Sequence, residues 1–226
     1  MKTERNIWLM TFILSAIAGY CDATTFVAAD HIFSAHVTGN FIVFAYEMVN
    51  RTDSGAWIKL ATFPVFVIAV ILGGWVASRS ANKNMILIFE GVALLIGGII
   101  ASCLKFYGSN NEVWSVLLVM MVVFAMALQN TFGKLFSKET HGPTTVMTGN
   151  VTQASLDIYN IIHSKFRDPA IALNLKKQAV VIGGFLIGGL CGAFLGKLIG
   201  LSAVILPGFI LLFAYVNKEA KSNNLP

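Results

Sequence analysis

Two short segments of the chain repeat one polar pattern. The first holds the tripeptide Thr38-Gly39-Asn40, and the second, 110 residues later, holds Thr148-Gly149-Asn150. An acidic residue follows each asparagine at the seventh position, Glu47 in the first copy and Asp157 in the second. A helix that begins at such a tripeptide leaves backbone N–H groups free and directs the positive end of its dipole at whatever lies in front of it. Two facing helix starts of this kind would form a polar site that tolerates an anion.

Polar residues in the neighbouring apolar stretches could contribute to the same site. Asp22 lies about 16 residues into the first stretch, and an acid at such a depth is by default a candidate for proton or cation coupling, or a partner for a buried base. Gln129 and Asn130 lie at the end of the stretch that precedes the second tripeptide. The predicted pathway residues are Asp22, Thr38, Gly39, Asn40, Gln129, Asn130, Thr148, Gly149 and Asn150.

A purely structural role is the alternative for these residues. Asparagine is a good N-cap, and Asn150 with Gln153 resembles a capping box, so the tripeptides would cap two short helices and bind the halves of the protein together. Glu47 and Asp157, about two turns further on, would then be solvated at the membrane interface. Glu90, near the start of its own span, could also reach the interface by snorkelling.

The elements that must position these residues are apolar helices. The 226 residues are 56% hydrophobic and 12% charged, with a mean hydropathy of +0.74, whereas a soluble domain is about 25% charged. Almost no alternating strand pattern is present, so we predict an all-α integral membrane protein with one membrane domain, residues 1–226. Six stretches are long enough to span: Ile7 to Ala28, Leu60 to Ser78, Met85 to Leu104, Val113 to Phe132, Val180 to Leu198 and Leu201 to Val216.

The repeated tripeptide divides the chain into two related halves, about residues 6–106 and 112–217. If the tripeptide segments enter the membrane and return, each half has three crossings, and the halves form an inverted 3+3 repeat with two broken or half-membrane helices. If the segments span, the halves form a parallel 4+4 repeat. We favour six crossings because the tripeptide segments would be costly to expose to lipid.

Small residues recur at every fourth position in both apolar hairpins. This spacing allows close helix packing in a membrane, where lipid supplies no hydrophobic drive between helices. A homodimer could also bury these small-residue faces. The residues are Ala69, Gly73, Ala77 and Ala81 in the first hairpin, and Gly184, Gly188, Gly192 and Gly196 in the second.

The net charge of +5 and the pI near 9.2 reflect basic residues at the ends of the spans. With the N-terminus inside, six crossings place 12 Lys and Arg residues inside and 4 outside, and eight crossings place 11 inside and 5 outside. Both counts predict cytoplasmic termini. Because no basic run is long enough for a phosphate groove, we expect no nucleic-acid partner.

Enzyme and cofactor motifs do not occur in the sequence. The four histidines show no HExxH arrangement, and there is no GxSxG, no P-loop and no GxGxxG. The three cysteines are widely separated and show no metal-ligand spacing. We therefore expect no enzyme, no metal and no cofactor.

Four segments carry a resemblance to a known family. "GYCDATTF", "HVTGNFI", "ALQNTFGKLF" and "PTTVMTGNVTQ" resemble the YoaK-like family of uncharacterised bacterial multi-pass inner-membrane proteins. The resemblance implies about six spanning helices and a location in the bacterial plasma membrane. It implies no substrate and no reaction.

The repeat and the polar residues together favour a small secondary transporter for a polar or anionic solute. Its partners would be the lipid bilayer and that solute, and the tripeptides would line a site near the bilayer centre. A channel-like permease without ion coupling and a non-transporting scaffold or sensor are the alternatives.

Overall fold

The computed structural model describes residues 2–50, 55–108, 112–165 and 167–222, with side chains from residue 4 to residue 215 of these ranges. Arg51 and the side chains of Lys2, Lys218 and Lys221, which entered the charge count, lie outside the described residues. The described ranges hold eight α-helices and no strand, which confirms the all-α prediction for them. The helices are α1 (Lys2–Ala28), α2 (Gly39–Asn50), α3 (Trp57–Arg79), α4 (Met85–Phe106), α5 (Glu112–Leu135), α6 (Met147–His163), α7 (Pro169–Ile199) and α8 (Ile205–Ser222).

Five segments among the described residues are long and apolar enough to cross a membrane, so the chain has the character of a membrane protein. The last of them combines α7 and α8, which are separated by a 3-10 turn at Gly200–Val204. The six predicted apolar stretches therefore fall on α1, α3, α4, α5, α7 and α8. The five segments are Glu4–Ala28, Trp57–Arg79, Met85–Phe106, Glu112–Leu135 and Pro169–Tyr215.

The closest helix pair is α1 with α7, which pack in parallel through a row of glycines that we call the glycine seam (Gly184, Gly188, Gly192 and Gly196). A Cβ atom on Gly188 would lie 1.9 Å from the carbonyl oxygen of Ala16, and one on Gly192 would lie 2.2 Å from that of Tyr20. Only glycine permits this approach of two backbones, as the four-residue spacing predicts.

The chain reverses direction between α7 and α8. Gly196 of α7 lies against Thr24 of α1. Ala203, seven residues after Gly196, lies one turn back along α1, where its carbonyl oxygen accepts a hydrogen bond from the hydroxyl of Tyr20 at 2.9 Å. Gly200 sits at the reversal with φ of 69°, in the left-handed region that glycine adopts without strain.

Helix α8 then runs antiparallel to α4. Gly98 of α4 faces Ile205 at the start of α8, and Gly91 faces Leu211 further along it. The adjacent helices α4 and α5 are also antiparallel, with Gly97 against Met121, while Gly73 of α3 packs on Leu128 of α5. A central core of buried side chains from α1, α4, α5 and α8 fills the space between them.

These contacts place the short helices on opposite sides of the bundle. We call the side on which α1 begins the N-terminal side and the other the distal side. Helix α2 follows the distal end of α1 and packs against α3. Helix α6 follows α5 at the N-terminal side and packs against α7.

Candidate functional site

The loop between α1 and α2, residues 29–38, enters the bundle from the distal side; we call it the distal loop. Its anchor is Asp22, six residues before the end of α1 and so about 9 Å below it. The backbone N–H of Ala35 donates to Asp22 Oδ1 at 2.7 Å, and that of His36 donates to the same atom at 3.3 Å. His36 Nδ1 lies 2.7 Å from Asp22 Oδ2. The ring of His36 meets Phe185, in the middle of α7, edge-on at 5.8 Å.

Asp22 satisfies backbone N–H groups of the loop that water cannot reach. Buried N–H groups outside a helix must find an acceptor, and an ionised carboxylate offers acceptors only. Asp22 is 5% exposed, so it meets that need where the loop is deepest. Its hydrogen bond to His36 raises the pKa of that imidazole above the ordinary value, although partial burial opposes the shift.

The base of the distal loop is closed by Asn40. Its side-chain oxygen accepts from the N–H of Phe33 at 2.8 Å, and its amide nitrogen donates to the carbonyl of Phe33 at 2.8 Å. The same nitrogen donates to Thr62 Oγ1 of α3 at 3.1 Å. Asn40 therefore fixes the loop to itself and to the neighbouring helix.

A second loop, residues 140–146, enters from the N-terminal side; we call it the proximal loop. Gln129 anchors it from a position six residues before the end of α5, the depth that Asp22 has in α1. Its amide nitrogen donates to Thr144 Oγ1 at 2.9 Å and to the carbonyl of Leu14 at 2.8 Å. The hydroxyl of Thr145 donates to Asn130 Oδ1 at 2.6 Å.

Asn150 closes the proximal loop as Asn40 closes the distal one. Its amide nitrogen donates to the carbonyl of Pro143 at 2.7 Å and to that of Val146 at 3.2 Å. Each asparagine thus binds the residue seven positions before it. Proline has no N–H, so the second copy lacks the reciprocal bond that Phe33 makes in the first.

The prediction that these asparagines are N-caps is wrong. Asn40 is the second residue of α2, and α6 begins at Met147, so Asn150 already lies in its first turn. Gln153 donates to Asp157 Oδ1 at 2.9 Å instead of completing a capping box. The asparagine amides bind the preceding loops because those loops bring backbone groups within their reach.

The structure brings together some of the predicted pathway residues and separates others. Asp22 meets the distal loop, and Gln129 and Asn130 meet the proximal loop. Within the described residues α2 and α6 make no contact, so the two tripeptides do not face each other directly. Thr38, Thr148 and Gly149 are exposed and Gly39 is half-buried, whereas Asn40 and Asn150 are buried.

Both loops converge on α1. The proximal loop reaches it at Thr11, whose hydroxyl accepts from the N–H of His141 at 2.9 Å, and through Gln129 at Leu14. The distal loop reaches it at Asp22. Leu14 and Asp22 are eight residues apart, which is about 12 Å along a helix. Two polar loops from opposite sides are therefore separated by two turns of α1.

Sequence reasoning missed a buried ion cluster at the distal end. Glu47 is 7% exposed and its Oε1 lies 3.0 Å from Lys59 Nζ, which is fully buried and also contacts Asp30. Asp157 is 3% exposed. The prediction that Glu47 and Asp157 are solvated at the membrane interface is therefore wrong. The sequence did contain a signal for this cluster. Lys59 is the third residue of an apolar span, and a charged residue there needs a partner of opposite charge.

The prediction that Glu90 reaches the interface by snorkelling is wrong, because its side chain is fully buried in α4. Within the part of the chain that the structure describes, no group of three or more His, Cys, Asp or Glu side chains could hold a metal ion. The polar chemistry of the site therefore consists of amides, hydroxyls, backbone groups and the Asp22–His36 pair.

One comparison with known proteins gives a match. The model of a family described as "Protein of unknown function (DUF1275)" matches residues 10–216, nearly the whole chain. The match confirms the predicted relation to an uncharacterised family. No curated protein and no solved structure matches.

Proposed function

We propose that this chain, which belongs to the DUF1275 family of proteins of unknown function, is a small secondary transporter for a polar or anionic solute. The observation that carries the proposal is the pair of polar loops that enter from opposite sides and stop about 12 Å apart along α1. Alternating access needs a site that each side can reach in turn, with a barrier that moves between them. Each loop would act as the barrier for its own side.

The directions of the helices support an inverted 3+3 repeat with one half-membrane helix in each half. In the first half α1, α3 and α4 alternate in direction and α2 lies on the distal side. In the second half α5, α7 and α8 alternate in the opposite sense and α6 lies on the N-terminal side. Equal depth of Asp22 and Gln129 in their helices is a further element of this symmetry.

The proximal loop is held weakly enough to open. A typical hydrogen bond contributes about 0.5–1.5 kcal/mol net, and one to a charged group about 1.5–3 kcal/mol. The proximal loop is held by neutral groups, such as Gln129 with Thr144 and Asn130 with Thr145. The free energy needed to break a few such bonds is small enough that a bound solute can shift the equilibrium between a closed and an open loop.

The solute would meet amide, hydroxyl and backbone groups. Such groups bind small polar molecules, and an anion requires that the charge of Asp22 be balanced. Protonated His36, 2.7 Å from the carboxylate, supplies that balance. Metal or cofactor chemistry has no part in this proposal, and neither does enzymatic turnover.

The orientation is also a proposal. The Lys and Arg bias of the sequence favours a cytoplasmic N-terminal side, and the resemblance noted above favours a bacterial inner membrane. The distal loop would then face the outside of the cell and the proximal loop the cytoplasm.

Single-cysteine accessibility tests the proposal. In a cysteine-free background, residues 36–42 and 146–152 are replaced one at a time and treated with a membrane-impermeant thiol reagent from each side. We expect distal-side labelling near Asn40 and N-terminal-side labelling near Asn150, with rates that change when candidate solutes are added. Uniform protection in well-folded protein would refute the transporter proposal.

A non-transporting scaffold is the second candidate, and one observation favours it. Asn40 and Gln129 are fully buried and bind the loops from within, as they would in a purely structural role. Alanine at Asn40 or Asn150 separates the two candidates. A transporter would show altered labelling or solute uptake in a protein that still folds, whereas a scaffold would change only in stability.

A further inference from the structure

Glu90 is a carboxylic acid in the apolar interior of the bundle. It is fully buried, and neither of its carboxyl oxygens has a hydrogen-bond partner among the described residues. Leu87 and Leu94, three residues before and four after it, lie on the same face of α4 and are also fully buried. The carboxyl group therefore points into the central core.

Among the residues that the structure describes, no basic side chain forms an ion pair with Glu90. Cys21 of α1 and Tyr215 of α8 are close enough to interact with it electrostatically. Asp22 adds a second negative group near Cys21, and Glu139 adds one near Tyr215. Helix α5 and the 3-10 turn contribute apolar side chains to the same core, namely Val122, Ala125, Met126, Leu128, Phe132, Ala203 and Val204.

This environment is expensive for a carboxylate. A charged group buried without a partner costs several kcal/mol or more, and a neutral carboxyl that makes no hydrogen bond still forfeits about 1–3 kcal/mol. Leucine would fill a similar space at lower cost. An unsatisfied acid at this depth is therefore explained by chemistry that only an acid can perform, which in a membrane is reversible binding of a proton.

We propose that Glu90 is a proton-binding site whose protonation is coupled to the transport cycle. The inference rests on the proposed transporter function and adds its coupling ion. A proton from water forms an O–H bond with the carboxylate, and no other bond is made or broken. The neutral acid is compatible with the closed core described here, and the ionised form favours a state in which water reaches α4.

A route for the proton lies towards the N-terminal side. Glu90 is five residues from the first residue of α4, or about 8 Å from that end of the helix. Tyr215 lies near both Glu90 and Glu139, and Glu139 forms an ion pair with Lys83 at the exposed end of α3 and α4. The charged surface on the side where α1 begins is therefore the nearer one for a proton that reaches or leaves Glu90.

Carbodiimide modification in proteoliposomes tests the site. Dicyclohexylcarbodiimide enters through lipid and reacts with protonated carboxyl groups, adding to the oxygen and rearranging to a stable N-acylurea that mass spectrometry locates. We expect modification of Glu90 that falls about tenfold for each pH unit above its midpoint, as the protonated fraction does. The E90Q protein should carry no adduct on that peptide, and E47Q should leave the Glu90 titration unchanged.

Infrared difference spectroscopy of the full chain gives an independent reading. The carbonyl band of a protonated carboxyl group shifts on transfer to heavy water only if the proton exchanges. A Glu90 band, identified by its loss in E90Q, should shift and should titrate in the native protein. A band that neither exchanges nor titrates, together with modification that does not depend on pH, would overturn the proposal.

The two proposals fail in different ways. Labelled loops with a permanently protonated Glu90 would overturn proton coupling and retain transport. Protected loops with a titrating Glu90 would overturn the transport cycle and its coupling, and would leave proton binding at Glu90 as a measured property of the bundle.

Discussion

Replacing Gly188 with alanine tests the close approach of α1 and α7. The new Cβ atom would lie 1.9 Å from the carbonyl oxygen of Ala16 and 2.7 Å from its Cα, whereas real Cβ contacts are at least 3.0 Å. The helices must therefore separate by about 1.1 Å at this point. Because the obstacle is backbone and not a flexible side chain, no rotamer change relieves the clash.

The expected cost follows from this displacement. Overpacking a well-filled interior typically costs about 1–3 kcal/mol, and a clash with backbone belongs at the upper end. Separation also weakens the adjoining contact at Gly192, where the hydroxyl of Thr24 donates to the carbonyl oxygen at 3.0 Å. We expect Gly188→Ala to lower the free energy of unfolding by about 3 kcal/mol.

The assay is reversible unfolding in detergent micelles, followed by the circular dichroism of the helices. Gly183→Ala is the matched control, because a Cβ atom there meets nothing within 4 Å. Helix propensity alone would then leave stability unchanged or raise it by up to about 1 kcal/mol. Equal stability of the Gly188 and Gly183 variants would refute the parallel packing of α1 on α7.

Three further predictions concern the loops. Asp22→Asn removes the negative charge from the three hydrogen bonds that anchor the distal loop, each worth about 1.5–3 kcal/mol when charge-assisted, and should speed thiol labelling of that loop. A distal loop that opens without solute would let accumulated solute leak back, so uphill accumulation should be lost while downhill flux persists, whereas loss of both would point to a folding defect. Protonated His36 stabilises the distal loop fully below its ordinary pKa near 6.5, and this stabilisation is lost as pH rises through the raised pKa. Labelling of the loop should therefore accelerate with pH more steeply than the thiolate fraction of the introduced cysteine does, whereas His36→Gln should leave only that thiolate dependence. Asn40→Ala removes three hydrogen bonds and Asn150→Ala two, so Asn40→Ala should lower the melting temperature more; the reverse order would contradict the assigned bonds.

Six long helices could be predicted because a span requires about 20 apolar residues, and such runs are visible without knowing how they pack. The polar anchors could also be found, since Asp22, Gln129 and Asn130 are exceptional in apolar surroundings. Both predictions need only the type of each residue and its position in the sequence.

The partners of the polar residues could not be predicted. Asn40 and Asn150 have the sequence context of helix caps, but the fold of each loop offers them carbonyl groups seven residues back. Glu90 stands near the start of its helix, a position that favours snorkelling, yet packing in the central core buries it completely. Lys59 is buried because Glu47 and Asp30 converge on it through the placement of α2. These outcomes depend on tertiary contacts that local sequence does not encode.

The length of α7 makes the position of this helix sensitive to the thickness of the bilayer. Its 31 residues extend about 46 Å, roughly 16 Å more than a typical hydrocarbon core. The excess lies at its beginning, where Lys176 packs over the ring of Trp8 at 5.5 Å, a basic and aromatic pair suited to the headgroup region. Helix α6 packs on this part of α7 and follows the proximal loop. A thinner or thicker membrane would change the tilt of α7 and, through α6, the position of the proximal loop.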